Sequence, residues 1–127
     1  MQVFKTKWLA RFAKHEGIAD ASLHEAIARA ERGLVDADLG GGLIKQRVAR
    51  RGKGRSGGYR MLIAYRLKKR AIFLYGFAKN ERANIGADEL LTAREIASPW
   101  LAADARQIAR ALAEGELQEV PYDEEEI

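Results

Sequence analysis

Between Leu43 and Lys79 the chain carries three strand-like runs joined by connections too short for a crossover, and this leaves it few folds to adopt. In the first, LIKQRVA (43–49), alternation sends Ile44 and Val48 to one side and Lys45 and Arg47 to the other. The second, GYRMLIAYRL (58–67), puts Met61, Ile63 and Tyr65 on one face and Arg60 on the opposite one. LKKR supplies a tight turn into the third, RAIFLYGFAK (70–79), which is apolar on both faces, as a central or covered strand would be, and whose parity groups Phe73, Tyr75, Phe77 and Lys79. Parallel neighbours need a connection of about a dozen residues or more, so these strands must run antiparallel, as a meander.

Helical patterns flank the meander. After a short strand at VFKT, the run KWLARFAKHEGI places Trp8, Leu9, Phe12 and Ala13 at helical spacing and should stop near Gly17. SLHE (22–25) matches a capping box opening a second helix, with Leu23, Ile27 and Ala30 on its buried stripe and Gly33 at its end. GADE (86–89) opens a third helix through LLTAREIA, with carboxylates at the positive end of the macrodipole. Ser98-Pro99 should interrupt it before a fourth, LAADARQIARALAEG, whose Leu101, Ile108 and Leu112 share a face. The order βααβββαα predicts an α+β fold: one domain over 1–127, with two N-terminal helices on one face of the sheet, C-terminal helices, and a flexible acidic tail at 119–127.

The charge distribution indicates what the sheet presents. Twelve of the 22 Lys and Arg residues, and none of the 18 Asp and Glu, lie between Asp38 and Glu81, giving that block +12 and the remainder −8 within a net charge of +4. Such asymmetry points to a polyanionic ligand. RRGKGRSGGYR (50–60) concentrates it: Arg50, Arg51, Lys53, Arg55 and Arg60 surround glycines that let the backbone approach a ligand, and five like charges destabilise a hairpin unless an anion visits. The spacing is not that of a nucleotide-binding P-loop, and the segment lies between two strands. Tyr59, Tyr65, Tyr75 and Phe77 lie in the same block as candidates for stacking on unpaired bases, Tyr59 first because it borders the loop.

Other chemistries have little to work with. No cysteine is present, which excludes disulfides, iron–sulfur clusters and thiolate metal sites, and the two histidines, His15 and His24, decorate helices. The expectation is a cytoplasmic protein without metal or cofactor, since there is no long apolar run and the N-terminal MQVFKTKWLARF lacks the pattern of a secretory signal.

With DADLGGGLIKQRVARRGKGRSGGYR followed by YGFAKNERANI, and ALAEGELQEV near the C-terminus, the chain resembles the RelE/HigB-type toxins of bacterial type II toxin–antitoxin systems, in particular the HigB-like branch of the RelE/ParE superfamily. The resemblance implies a microbial-RNase-like fold, a cognate antitoxin, and metal-independent cleavage of mRNA on the ribosome. By its GYR motif Arg60 looks like the family's strand arginine, expected to hold the scissile phosphate. Lys53 and Arg55 resemble the basic residues that precede that strand, with Arg51 and Arg47 as alternates. Lys79, Asn80 and Arg82 match the family's KNER segment. The implied catalytic set is Lys53, Arg55, Arg60 and Lys79, with Lys45, Arg47, Arg50, Arg51, Tyr59, Asn80 and Arg82 contacting RNA. Ile85 stands near the place of a tyrosine in some members; a lysine crowded by arginines loses some preference for its charged form, which makes Lys53 or Lys79 the proton-transfer candidates, while Glu81 is read as an ion-pair partner of Arg82 or Arg55 before a base. Two other readings are a ParE-like poison of DNA gyrase and a non-catalytic nucleic-acid-binding module.

Overall fold

The computed structural model describes residues 1–50, 57–79 and 85–121, and the backbone alone at 54–56. The elements run β1 (Gln2–Thr6), α1 (Lys7–Glu16), α2 (Asp20–Glu31), β2 (Ala37–Gly40), β3 (Leu43–Arg50), β4 (Gly54–Arg66), β5 (Arg70–Ala78), α3 (Ala87–Ala102), α4 (Ala105–Ala113) and β6 (Leu117–Glu119). The expected meander is β3–β4–β5, and it forms the middle of a six-stranded sheet ordered β2-β3-β4-β5-β1-β6. The sheet is mixed, because β1 runs parallel to β5. A parallel neighbour is possible there because α1 and α2 and the strands after them provide the long return that adjacent hairpins lack.

Local chemistry sets the joints. Thr6 caps α1 by accepting the Leu9 N–H at 3.1 Å, and Gly17, at φ 71°, closes it with the Ile18 N–H donating back to the Ala13 carbonyl at 2.8 Å. The β2–β3 turn uses Gly40, Gly41 and Gly42, all at positive φ, and a Cβ on Gly42 would stand 2.5 Å from the Leu101 side chain, so a side chain there meets both strain and α3.

Alternation along the strands divides the apolar residues into two cores. Leu9, Ala13, Leu23 and Ile27 of α1 and α2 pack against Ile44, Val48, Met61, Ile63 and Phe73 on one face. Ala93, Ala97, Ile108 and Ala111 of α3 and α4 pack against Leu43, Leu62, Ala64, Ile72 and Leu117 on the other. Each large aliphatic side chain so buried contributes about 1.5–3 kcal/mol, which is how a small sheet holds helices on both faces.

Several expectations are corrected. Ser22 does not cap α2: the helix begins at Asp20, one turn earlier in effect, with Ala19 as N-cap, and the Asp20 carboxylate accepts Lys5 Nζ at 2.8 Å. Pro99 does not end α3, which continues to Ala102. A proline in the last turns removes one donor, and the terminal carbonyls are held from the β4–β5 turn, Arg70 Nη1 donating to Trp100 at 2.9 Å and to Ala103 at 2.7 Å. At the C-terminus Glu119 ends β6, and Val120 is buried with its N–H donating to the Val3 carbonyl at 2.8 Å, so the first two residues expected in the tail belong to the sheet edge; 122–127 lie outside the described residues.

The most consequential correction concerns β5. Leu62 pairs with Tyr75 but Ile63 pairs with Phe73, so Leu74 is an extra residue and the ladder carries a β-bulge. Phe73 stays in the α1/α2 core, whereas Tyr75 and Phe77 turn to the Arg60 face. Simple alternation had placed all three together.

Candidate nucleic-acid interface

Across the middle strands one row reads Arg47–Arg60–Phe77 and the next Lys45–Leu62–Tyr75, each residue in direct register with its neighbours. Directly opposed residues on one face have Cβ atoms about 5 Å apart, and like charges so placed repel. Arg60 is only 9% exposed. Burial first, and the charge of Arg47 second, push its pKa below the usual guanidinium value, with Asp36 partly opposing them. Its Nη1 reaches the Tyr59 carbonyl at 3.5 Å. A guanidinium held this way gains from any anion that enters the site.

Arg47 is held from behind. Its backbone N–H donates to Asp36 Oδ2 at 2.7 Å and its Nη2 to Asp36 Oδ1 at 3.1 Å. The same carboxylate accepts Arg29 Nη1 at 3.2 Å, and Arg29, 4% exposed on α2, also bonds Glu25 Oε1 at 2.9 Å and the Arg47 carbonyl. Gln46, fully buried, accepts the Asp36 N–H at 2.7 Å and donates to the Ala26 and Leu34 carbonyls at 2.9 and 3.2 Å. Burial pushes the Asp36 carboxyl up, but the Arg47 N–H and the two guanidiniums outweigh it and leave the pKa below the ordinary carboxylate value.

The remaining candidates divide. Lys45 lies on the Arg60 face, in the row of Leu62. Lys79, exposed, continues the ladder one residue past β5 by donating its N–H to the Gly58 carbonyl at 3.0 Å, with the parity of Phe77. Arg50 stands on the other face, its guanidinium carbon 5.7 Å from the centroid of the Tyr59 ring, beside a groove of about 470 Å³ that His15 and Glu16 also line. Tyr59 itself is 3% exposed, packed edge-on to Phe12 in the α1/α2 core, so its ring offers no open face to a base. Lys53, Arg51, Asn80, Glu81 and Arg82, and the side chain of Arg55, lie outside the described residues.

The basic block of the sequence is not one patch. Lys68 and Lys69 in the β4–β5 turn and the flanking Arg66 and Arg70 lie at the opposite end of the β4–β5 ladder from Arg60, and Arg66 and Arg70 donate to the carbonyls that end α3. Sequence reasoning also missed a second cationic surface: Lys7, Arg11 and Lys14, exposed at i, i+4, i+7 spacing on α1, line a groove with Lys5. The signal was in KWLARFAK, whose cations share that period. Missed too were Arg29, Asp36 and Gln46; for Arg29 the signal was its place beside Ala26 and Ala30 on an apolar stripe.

Aromatic rings border the site. Phe77 and Tyr75 lie 6.4 Å apart, Tyr75 and Trp8 4.4 Å, and Trp8 and Phe12 5.3 Å between ring centroids, and Trp8 is 44% exposed. A Cβ on Gly76 would meet Met61 Sδ at 2.6 Å, so glycine there lets Phe12 and Met61 close over β5.

Among the described residues no His, Asp and Glu gather into a metal-ligating group, and no helix is long and apolar enough to cross a membrane. The family model described as RelE toxin of the RelE / RelB toxin–antitoxin system matches residues 1–120. No curated protein matches the chain.

Proposed function

The chain belongs to the RelE toxin family of toxin–antitoxin systems, and on that premise we propose that it is a metal-independent endoribonuclease that cuts mRNA on the ribosome. The observation that carries this reading is the Arg47–Arg60 pair, two cations in register on one face of the sheet with one of them almost fully buried. Two guanidiniums so placed repel each other and can share a phosphate between them.

Cleavage by the RNA's own 2′-hydroxyl requires the hydroxyl proton to be accepted as the oxygen attacks phosphorus, the phosphorane charge to be stabilised, and a proton to be given to the departing 5′-oxygen. The products are a 2′,3′-cyclic phosphate and a 5′-hydroxyl, and one proton is transferred at each end. Arg60, aided by Arg47, stabilises the phosphorane. Lys79, one residue past β5 with the parity of Phe77, supports the reading as a proton-transfer group, with Lys53 or Glu81 as the alternatives and Arg55 as a further cation at the phosphate. Lys45, Asn80 and Arg82 contact the flanking backbone. In place of Tyr59, the Trp8–Tyr75 pair provides the surface on which an unpaired base stacks. The ribosome supplies substrate order, and the cognate antitoxin blocks the cationic face.

The test is cleavage-end mapping on a translated message in a reconstituted system, with and without ribosomes, for the parent and Arg60→Ala. Cuts bearing cyclic-phosphate ends, dependent on ribosomes and lost in R60A while oligonucleotide binding persists, are expected. A parent that binds RNA but never cuts it would reduce the protein to a binding module.

A further inference from the structure

We propose that Asp36 is a positioning residue for the phosphate grip: it orients the Arg47 guanidinium beside Arg60 and offsets the repulsion between the two. The inference rests on the nuclease reading above. Its basis is the shape of the network. Asp36 offers one oxygen to the Arg47 side chain and the other to the Arg47 backbone N–H and Arg29. The same residue is held in turn, its own N–H fixed by the buried Gln46 amide and its carboxylate by the buried Arg29. Arg29 also bonds the Arg47 carbonyl, so both ends of the Arg47 backbone are tied to α2 or to the β2 approach. A surface arginine normally loses rotamer freedom only when its ligand arrives; here an exposed guanidinium is ordered beforehand by buried groups, as preorganised electrostatic catalysis requires. The Asp36–Arg47 ion pair ends on a half-exposed cation directly opposite Arg60.

A positioning role separates rate from binding. Asp36→Asn removes one negative charge from the site, so affinity for an uncleavable 2′-deoxy oligonucleotide should rise about twofold at low salt, while ribosome-dependent cleavage at saturating toxin falls roughly tenfold or more, because Arg47 no longer starts aligned. A purely structural role predicts parallel loss of both in proportion to the unfolded fraction, read by circular dichroism on the same samples. In a double-mutant cycle, Asp36→Asn should cost nothing further once Arg47→Ala is present. Additive losses, or unchanged cleavage in a folded D36N protein, overturn the proposal. Asp36→Glu, which keeps the charge and shifts the carboxylate by one methylene, is read in the same cycle should D36N fail to fold. If the parent cuts no RNA, the nuclease reading fails separately, and positioning is then read from ¹⁵N relaxation of the Arg47 Nε–H: faster motion in D36N supports it, and unchanged order refutes it.

Discussion

Arg47 of β3 and Arg60 of β4 are direct cross-strand partners on the same face of the sheet, and the Asp36 carboxylate bonds the first while the second is buried at its side. Two cations thus share one row of the sheet, with Asp36 offsetting part of their repulsion. Four consequences are measurable.

Arg60→Met keeps the length of the buried side chain and removes its charge. It should lower cleavage roughly 100-fold or more, because the charge that stabilises the phosphorane is gone, and should leave the protein folded, because an apolar chain of similar volume fills the same buried place. Urea midpoints and cleavage rates on the same preparation check both. A folded R60M protein that cuts at the parent rate would remove Arg60 from the reaction.

Phosphate-bearing ligands should stabilise the protein in a salt-dependent way. With about six phosphates contacted, the logarithm of affinity for a single-stranded oligonucleotide should fall against the logarithm of salt with a slope of roughly −4 to −5. Charge reversal of Lys7, Arg11 and Lys14 on α1 tests whether that second surface contributes: the slope becomes shallower only if it does. Fluorescence anisotropy across a salt series gives the measurement.

Asp36 should give the acid limb of the stability profile. Its folded pKa lies below its ordinary value of 3.8, so the unfolded chain binds the proton more readily, and stability rises with pH through the interval between the two values. The contribution is complete above the ordinary carboxylate value and is lost as pH falls through the folded pKa. Asp36→Asn should flatten the urea midpoint against pH in that acid window and leave its shape near neutrality unchanged.

Trp8 should report on base stacking. It is partly exposed, stacked on Phe12 and tilted against Tyr75, which neighbours Phe77. Oligonucleotide binding should quench its fluorescence in a Trp100→Phe background, and Trp8→Ala should weaken binding by about 1–3 kcal/mol. Quenching without any loss of affinity would place Trp8 beside the RNA rather than under a base.

Much of the fold was legible before any coordinates, because a strand's two faces are written with a period of two residues and a helix's stripe with a period of 3.6. Ile44 and Val48 against Lys45 and Arg47, Met61 and Ile63 against Arg60, and the Gly17 stop of α1 all follow from neighbours in the chain. That Arg47 and Arg60 lie opposite those apolar residues was legible for the same reason, whereas the role expected of Arg60 came from the resemblance of its GYR motif.

What escaped depended on residues far apart in sequence. The bulge at Leu74 broke the parity of β5, Pro99 stayed helical because Arg70 holds carbonyls thirty or so positions onward, and Tyr59 was drawn into the core by Phe12. The +12 block divided between two ends of the sheet because β4 and β5 are long enough to separate their termini. Composition and alternation alone determined that this chain makes a basic-faced antiparallel meander with helices around it. Only tertiary structure decided which cations meet, since the partners of a charge are set by strand register and by buried groups such as Arg29, Asp36 and Gln46, whose contacts form only when α2 and the edge of the sheet close on each other.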